Sequence, residues 1–197
     1  SGCFGFDESL TLSPLLKKIP ESCFEKCLNL SGSLQIPQGV TSIGKNAFLD
    51  CCGFSGVLNF ASDLEIIGEK AFFGCSKFTG KLTIPNNVVS IGEYAFSMCF
   101  GFNEALSISN NLTTIQEGLF FKCSSFSGSL TIPDFVESIG SYAFFQCSGF
   151  NGNLVLPKDN LETIGSFAFL GCTKLEGSLD LPESIKYIGE CSFFGCC

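Results

Sequence analysis

Apolar residues recur along this chain on a period of 24. The stretch from Gly128 to Phe150 shows the plan: Gly-Ser-Leu-Thr-Ile-Pro, then Asp-Phe-Val-Glu-Ser-Ile-Gly, then Ser-Tyr-Ala-Phe-Phe-Gln-Cys-Ser-Gly-Phe. Units on this plan start at Glu8, Gly32, Gly56, Gly80, Glu104, Gly128, Gly152 and Gly177. A constant period of this size marks stacked repeats, and it outranks any residue-by-residue assignment of elements. Within each unit Leu is followed two residues on by Ile, Leu or Phe, as in Leu34–Ile36, Leu58–Phe60 and Leu130–Ile132. Apolar–any–apolar is the period-2 pattern of a short strand with one face buried. Pro37, Pro85, Pro133, Pro157 and Pro182 end that strand, because proline has no amide hydrogen for a ladder.

A second apolar pair follows, as in Val40–Ile43, Val88–Ile91 and Val136–Ile139, and Ile fills its second place in every unit. Gly44, Gly68, Gly92, Gly140, Gly165 and Gly189 come next. Glycine at such a corner implies either a positive φ or a close backbone approach. Pro20 and Gln116 stand where the others have glycine, so those corners are expected to differ. The third side holds a small residue, then Phe without exception, then Cys three residues later, as in Ala143, Phe144 and Cys147. A further large apolar residue, such as Phe78, Phe102 or Phe150, closes the unit. That side is too short for a regular helix, and a single α or 3-10 turn is expected.

One unit has too few apolar groups to close a core alone. Stacked units bury a continuous column, each touching only its neighbours. Equivalent residues then lie about 4.8 Å apart, one strand spacing. The phenylalanines would form a ladder of offset rings, each pair adding ~0.5–1.5 kcal/mol beyond burial. The fold class expected is an α/β solenoid, mostly β, with parallel strands stacked one per repeat and short α or 3-10 turns on the opposite side. Residues 1–197 are read as one solenoid of about eight repeats. One extra residue within Lys158–Asp159–Asn160 is expected to swell a corner and leave the column intact. The chain starts and stops mid-unit, Phe4-Gly5-Phe6 being the tail of an earlier unit. It lacks the polar caps that solenoids carry, so a longer protein is expected.

Apolar-x-Ile-Pro, then Val-x-Ser-Ile-Gly, then Ala-Phe-x-x-Cys, resembles the BspA-like (Treponema-type) leucine-rich repeat. Leu130-Thr131-Ile132-Pro133, Val136-Glu137-Ser138-Ile139-Gly140 and Ala143-Phe144-Phe145-Gln146-Cys147 carry the likeness, which recurs along the whole chain. The resemblance implies a leucine-rich-repeat protein of a bacterial or protozoan (for example trichomonad) cell surface, or a secreted one. It also implies adhesion to host cells, matrix proteins or other microbes. Units of 24 residues depart from the family's common length by one, which falls in the Gly-containing step before the strand. The family is defined by scaffold residues and brings no ligand signature with it.

Composition narrows the function classes. The chain carries 19 acids against 11 bases, for a net charge of −8, with no His. Every base is Lys. Without Arg forks, base and phosphate recognition loses its main tools, which argues against nucleic acid. The acidity argues against an anionic membrane surface. No stretch is long and apolar enough for membrane insertion by this segment, and no secretory leader is visible. Lack of His removes the usual general base and the Ser-His-Asp arrangement. No cofactor motif or phosphate loop interrupts the period. The chain is therefore read as non-enzymatic, with no cofactor and no catalytic residue.

Thirteen cysteines invite a disulfide framework or zinc. Nine of them, Cys3 among them, fall on one ladder slot. There they act as small buried side chains, pointing the same way and too far apart for bonds that need facing Cβ atoms. A line of thiols does not converge on a point as a zinc site requires. Cys23, Cys52, Cys191 and Cys197 lie off the ladder, and oxidation between molecules stays open at the slot that Cys52 and Cys197 share.

Several surfaces are candidates for function. The outward residues of the first strand form a polar, nearly uncharged sheet, and leucine-rich repeats usually bind ligands on such a face. Lys81, Thr83, Ser107, Ser129, Thr131, Asn153 and Val155 are the partner-binding candidates, for protein or glycan on a host cell, matrix or microbe. A face tuned for solubility alone is the alternative. Glu69, Glu93 and Glu117 share a corner slot, either as a Ca²⁺ site or as a solvated acidic edge. Tyr94, Tyr142, Phe167 and Phe100 are expected to expose aromatic area or to pack laterally. Asn29 and Asn111 fit the N-glycosylation pattern. Beside recognition and adhesion stand two rivals: a structural spacer, and a rod that associates end to end.

Overall fold

The computed structural model describes residues 9–196. Ser1–Glu8, with the Cys3 and Phe4-Gly5-Phe6 read above as ladder and earlier unit, and Cys197 lie outside the described residues. The chain winds as a mostly-β solenoid of short parallel strands. In order these are β1 (Lys18–Ile19), β2 (Gly32–Gln35), β3 (Ser42–Ile43), β4 (Phe54–Asn59), β5 (Ile66–Ile67), β6 (Leu82–Thr83) and β7 (Ser90–Ile91). They continue as β8 (Leu106–Ser107), β9 (Thr114–Ile115), β10 (Leu130–Thr131), β11 (Ser138–Ile139), β12 (Leu154–Val155), β13 (Thr163–Ile164) and β14 (Tyr187–Ile188). Partners lie one repeat apart, Leu130 beside Leu154 and Ile139 beside Ile164, so like sits on like.

The Leu-x-Ile strands pair as β2–β4, β6–β8 and β10–β12. The expected flat sheet on this face is thus a row of two-stranded ribbons. The Ser-Ile strands form two wider sheets, β1-β3-β5-β7 and β9-β11-β13-β14. The break between β7 and β9 falls beside Gln116. None of the six corner glycines has a positive φ, so close approach is their reason. A Cβ on Gly44 would sit 2.5 Å from the Glu21 amide nitrogen, and one on Gly140 would sit 2.6 Å from that of Glu117. The Gly140 amide donates to the Ile115 carbonyl at 2.7 Å. Gln116 brings a Cβ into the matching approach at its own corner, and β7 and β9 do not pair with each other.

No helix is present among the described residues, which corrects the α or 3-10 turns expected on the third side. Each turn carries a left-handed residue at its first and fifth positions: Ser22 and Lys26, Asn46 and Asp50, Tyr94 and Met98, Tyr142 and Gln146. Helix needs negative φ throughout. The amides a helix would use internally instead cross to the next turn. Ser22, Phe24 and Lys26 donate to the carbonyls of Lys45, Ala47 and Leu49 at 2.9, 2.8 and 2.7 Å. The same triplet recurs at each junction, ending with Phe167, Phe169 and Gly171 on Glu190, Ser192 and Phe194. This third side, and not either set of strands, carries an unbroken ladder along the rod.

Inside, Phe48, Phe72, Phe96, Phe120, Phe144 and Phe169 are fully buried and stacked in one column. A second column runs through Phe54, Phe78, Phe102, Phe126 and Phe150. The cysteine ladder does more than fill space. From Cys51 to Cys196 each ladder thiol donates to the carbonyl of the previous unit's core Phe: Cys75 to Phe48 at 3.1 Å, Cys123 to Phe96 at 3.0 Å, Cys147 to Phe120 at 3.0 Å. It thereby helps satisfy a buried backbone acceptor.

Burial pushes the Cys51 and Cys123 thiols up from 9.0 to about 12. The folded chain therefore holds these protons more tightly than the unfolded chain does. Stability from the neutral thiols is complete below pH 9.0 and is lost as pH rises towards 12. Under reducing conditions the thermal midpoint is expected to fall above that onset. A Cys123→Ala variant should show a shallower fall in a pH series of thermal melts; an identical slope would refute the linkage.

Candidate functional site

The candidates on the strand face follow from the ribbon pairing. Lys81, Thr83, Ser107, Ser129, Thr131, Asn153 and Val155 are all exposed. Thr83 lies beside Ser107 in β6–β8, and Thr131 lies beside Val155 in β10–β12. Because β8 and β10 are not paired, the residues fall into two groups. Lys81, Thr83 and Ser107 make one, on one ribbon and its approach. Ser129, Thr131, Asn153 and Val155 make the other. The Ser129 hydroxyl is engaged by the scaffold, accepting the Asn153 amide at 3.2 Å. Ser33 accepts from Val57 in the same way at 3.1 Å. The remaining hydroxyls and Lys81 stand as an uncharged, polar surface with one cation at its edge.

Two of the three corner carboxylates, Glu69 and Glu117, are held in ion pairs and hydrogen bonds. Glu69 takes Lys45 at 2.7 Å and Lys70 at 3.1 Å. The Lys45 hydrogen bond leads the effects that hold its carboxyl below the usual range, and the same contact raises Lys45. Glu117 accepts a short hydrogen bond from the Tyr94 hydroxyl. Burial first, and Glu117 second, push that phenol up to about 12. Among the described residues no three His, Cys, Asp or Glu side chains gather where they could hold a metal ion.

The aromatics pack laterally. Tyr142 stacks on Phe167 at 5.1 Å and meets Phe145 edge-on at 5.7 Å, while Phe121 stacks on Phe145 at 4.9 Å. All four are half-buried, whereas Phe100 is exposed. Phe121 and Phe145 escaped the sequence reading. Their signal was the apolar slot after the core Phe, also filled by Leu49, Phe73 and Leu170. The Tyr94 ring lies over Gly118, occupying the space a side chain there would need. Off the ladder, Cys23 and Cys191 are exposed and Cys52 is half-buried. Asn29 and Asn111 are both exposed, and the Asn111 side-chain amide donates to the Asn86 carbonyl at 2.7 Å.

Comparison with known proteins agrees with this geometry. The BspA type leucine rich repeat region matches residues 3–127, 42–151 and 147–197, in 6 copies. The chain belongs to the BspA-type leucine-rich-repeat family. A leucine-rich-repeat protein of T. pallidum shares the fold with a TM-score of 0.73 and 24% identity, over 100% of this chain and 85% of that one. One from Bacteroides ovatus gives 0.69 and 24%, over 95% of this chain and 55% of that one. A leucine-rich cell surface protein of Faecalibacterium prausnitzii gives 0.56 and 21%, over 95% and 66%. This BspA-type chain thus spans about half the length of the Bacteroides protein. No curated protein matches it. No helix among its described residues is long and apolar enough to cross a membrane.

Proposed function

We propose that this BspA-type chain is a non-enzymatic recognition and adhesion scaffold at a cell surface or in secreted form. It binds protein or glycan on host cells, matrix or other microbes through the strand face. The carrying observation is a division of labour within each repeat. Leu82, Leu106 and Leu130 are buried in the stack, while the adjoining Thr83, Ser107 and Thr131 are exposed. Their spacing is fixed by the backbone ladder, which gives a preorganised surface with little ordering cost on binding. Leucine-rich repeats present their strands to partners, and a fold neighbour is described as a cell surface protein; both support the reading by analogy.

The test is binding of the chain to epithelial cells, matrix proteins and bacteria by flow cytometry, against a Thr83→Asp, Ser107→Asp, Thr131→Asp variant. These sites are exposed, so the variant should fold normally. A tenfold or greater loss of binding is expected; undiminished binding would move the site off this face.

A further inference from the structure

On the strand face, the seam beyond β12 is open. Leu154 and Val155 pair with β10 on one side. On the other, residues 178–181 form no strand. Two fixed points flank this segment. Before it, Asn153 bridges Glu176, with the Glu176 amide on the Gly152 carbonyl at 3.0 Å. After it, the Ser184 hydroxyl donates to the Leu161 carbonyl at 2.8 Å, and β13 resumes pairing with β14. Between these points the chain bows away and leaves a cleft of about 380 Å³. Leu154, Leu156 and Pro157 line one wall, and Leu181 and Pro182 line the other.

Two details show what the cleft lacks. In the β10–β12 ribbon, the Leu130 and Ile132 amides donate to the Asn153 and Val155 carbonyls, each at 2.9 Å. The equivalent amides of β12, at Leu154 and Leu156, face the seam, and no carbonyl across it takes them. Leu154 is also half-buried, where Leu82 and Leu130 in the same slot are fully buried. The extra residue of this unit lies within Lys158–Asn160. Lys158 and Glu183 both border the cleft, which places the longer corner against the segment that bows.

We propose that this cleft takes an extended peptide segment of a partner protein, apolar at alternate positions, added as a strand to β12. The inference rests on the strand face being the binding face. Backbone groups at strand spacing, left without partners, are complemented by the backbone of another strand. Leu154, Leu156, Pro157, Leu181 and Pro182 suit an apolar side chain, Asn153, Ser178 and Asp180 add polar groups between them, and no aromatic residue of the lining offers a sugar a platform. The volume falls within the ~300–1,000 Å³ of ligand pockets and admits a short segment, not a folded domain. Asp180 and Glu183 against Lys158 at the rim favour a basic residue beside the apolar ones.

The test uses the 197-residue chain and a phage-displayed library of random dodecapeptides. Selected peptides, resynthesised, are expected to alternate apolar residues and to slow amide exchange at Leu154 and Leu156 tenfold or more. Deleting Asp159, which returns the unit to the common length, should close the seam and weaken binding at least tenfold. Should that variant fold poorly, Leu181→Trp fills the cleft at an exposed site and should abolish binding. The proposal falls if these amides are already protected in the unliganded chain. It also falls if no peptide is selected, if protection appears elsewhere, or if both variants bind as the parent does. Thr83→Asp and Ser107→Asp lie on another ribbon. Cell binding lost in those variants without peptide capture would sink the cleft alone, and peptide capture with cell binding intact in them would sink the ribbon reading alone.

Discussion

Phe144→Ala is expected to cost about 3–5 kcal/mol, the range for deleting a large core aromatic. The ring is fully buried between Phe120 at 5.4 Å and Phe169 at 5.3 Å. Truncation removes both stacks, each worth ~0.5–1.5 kcal/mol beyond burial. The void cannot collapse, because the backbone on either side is tied in place. The Phe144 amide donates to the Ala168 carbonyl at 2.8 Å, and its own carbonyl accepts the Cys172 thiol at 3.1 Å. In a solenoid the loss is felt first by the neighbouring turns. Urea unfolding followed by circular dichroism should therefore show an earlier midpoint, with the middle of the rod melting ahead of the rest. Thr131→Ala, at an exposed site on a ribbon, is the control and should move the midpoint little. A Phe144→Ala midpoint equal to that of the parent would mean that the ring column does not hold the stack together.

What could be read from the sequence was whatever the period repeats. The Ile column, the two Phe columns and the thiol ladder each occupy one slot, and burial follows slot for slot except towards the ends, where Phe24, Phe193 and Cys196 are half-buried and Ile188 is exposed. Gln116 announced an irregular corner because it broke a slot. What could not be read depends on small differences between slots that look alike. The turn conformation was hidden because its left-handed positions carry Lys70, Tyr94, Tyr142 and Phe167, residues that do not advertise positive φ. Gly118 at the first such position and Gly74, Gly171 and Gly195 at the second were the hints. Alternate pairing of the Leu-x-Ile strands was also hidden, since a hydrogen bond is kept or lost over a few tenths of an ångström. Exposure of Thr83 and Thr131 was legible from strand alternation. Their division between two ribbons was not, and nor was the cleft beside Leu154, which needs the neighbouring turn as well as the extra residue.

The same sensitivity to spacing makes Gly140→Ala the second large effect, about 3 kcal/mol at the upper end of ordinary overpacking. The backbone torsion at Gly140 is one that alanine adopts, so φ is not the obstacle. The obstacle is contact: a Cβ there would lie 2.6 Å from the Glu117 nitrogen, 2.9 Å from the Gln116 carbonyl carbon and 3.0 Å from the Glu117 Cα. All three are main-chain atoms, with no side-chain rotation to relieve them. The turns must part, breaking the bond to Ile115 and with it the β9–β11 pairing. The chain already contains a junction in that condition. Beside Gln116 the sheets are separate, and the Phe96–Phe120 ring distance is 5.8 Å, against 5.2–5.4 Å at the other junctions of that column. Gly128→Ala isolates torsion from contact, because Gly128 has φ +80° and nothing within 4 Å of its added Cβ. Its cost should stay near ~1 kcal/mol, the scale of a strained torsion. Denaturant midpoints for the two variants, measured side by side, should rank Gly140→Ala well below Gly128→Ala. Gln116→Gly should move the other way, slowing amide exchange at position 116 as the two sheets join. Equal losses in the two glycine variants would mean that the close contact at the corner costs no more than a strained torsion, and would leave the sheet break at Gln116 without its cause.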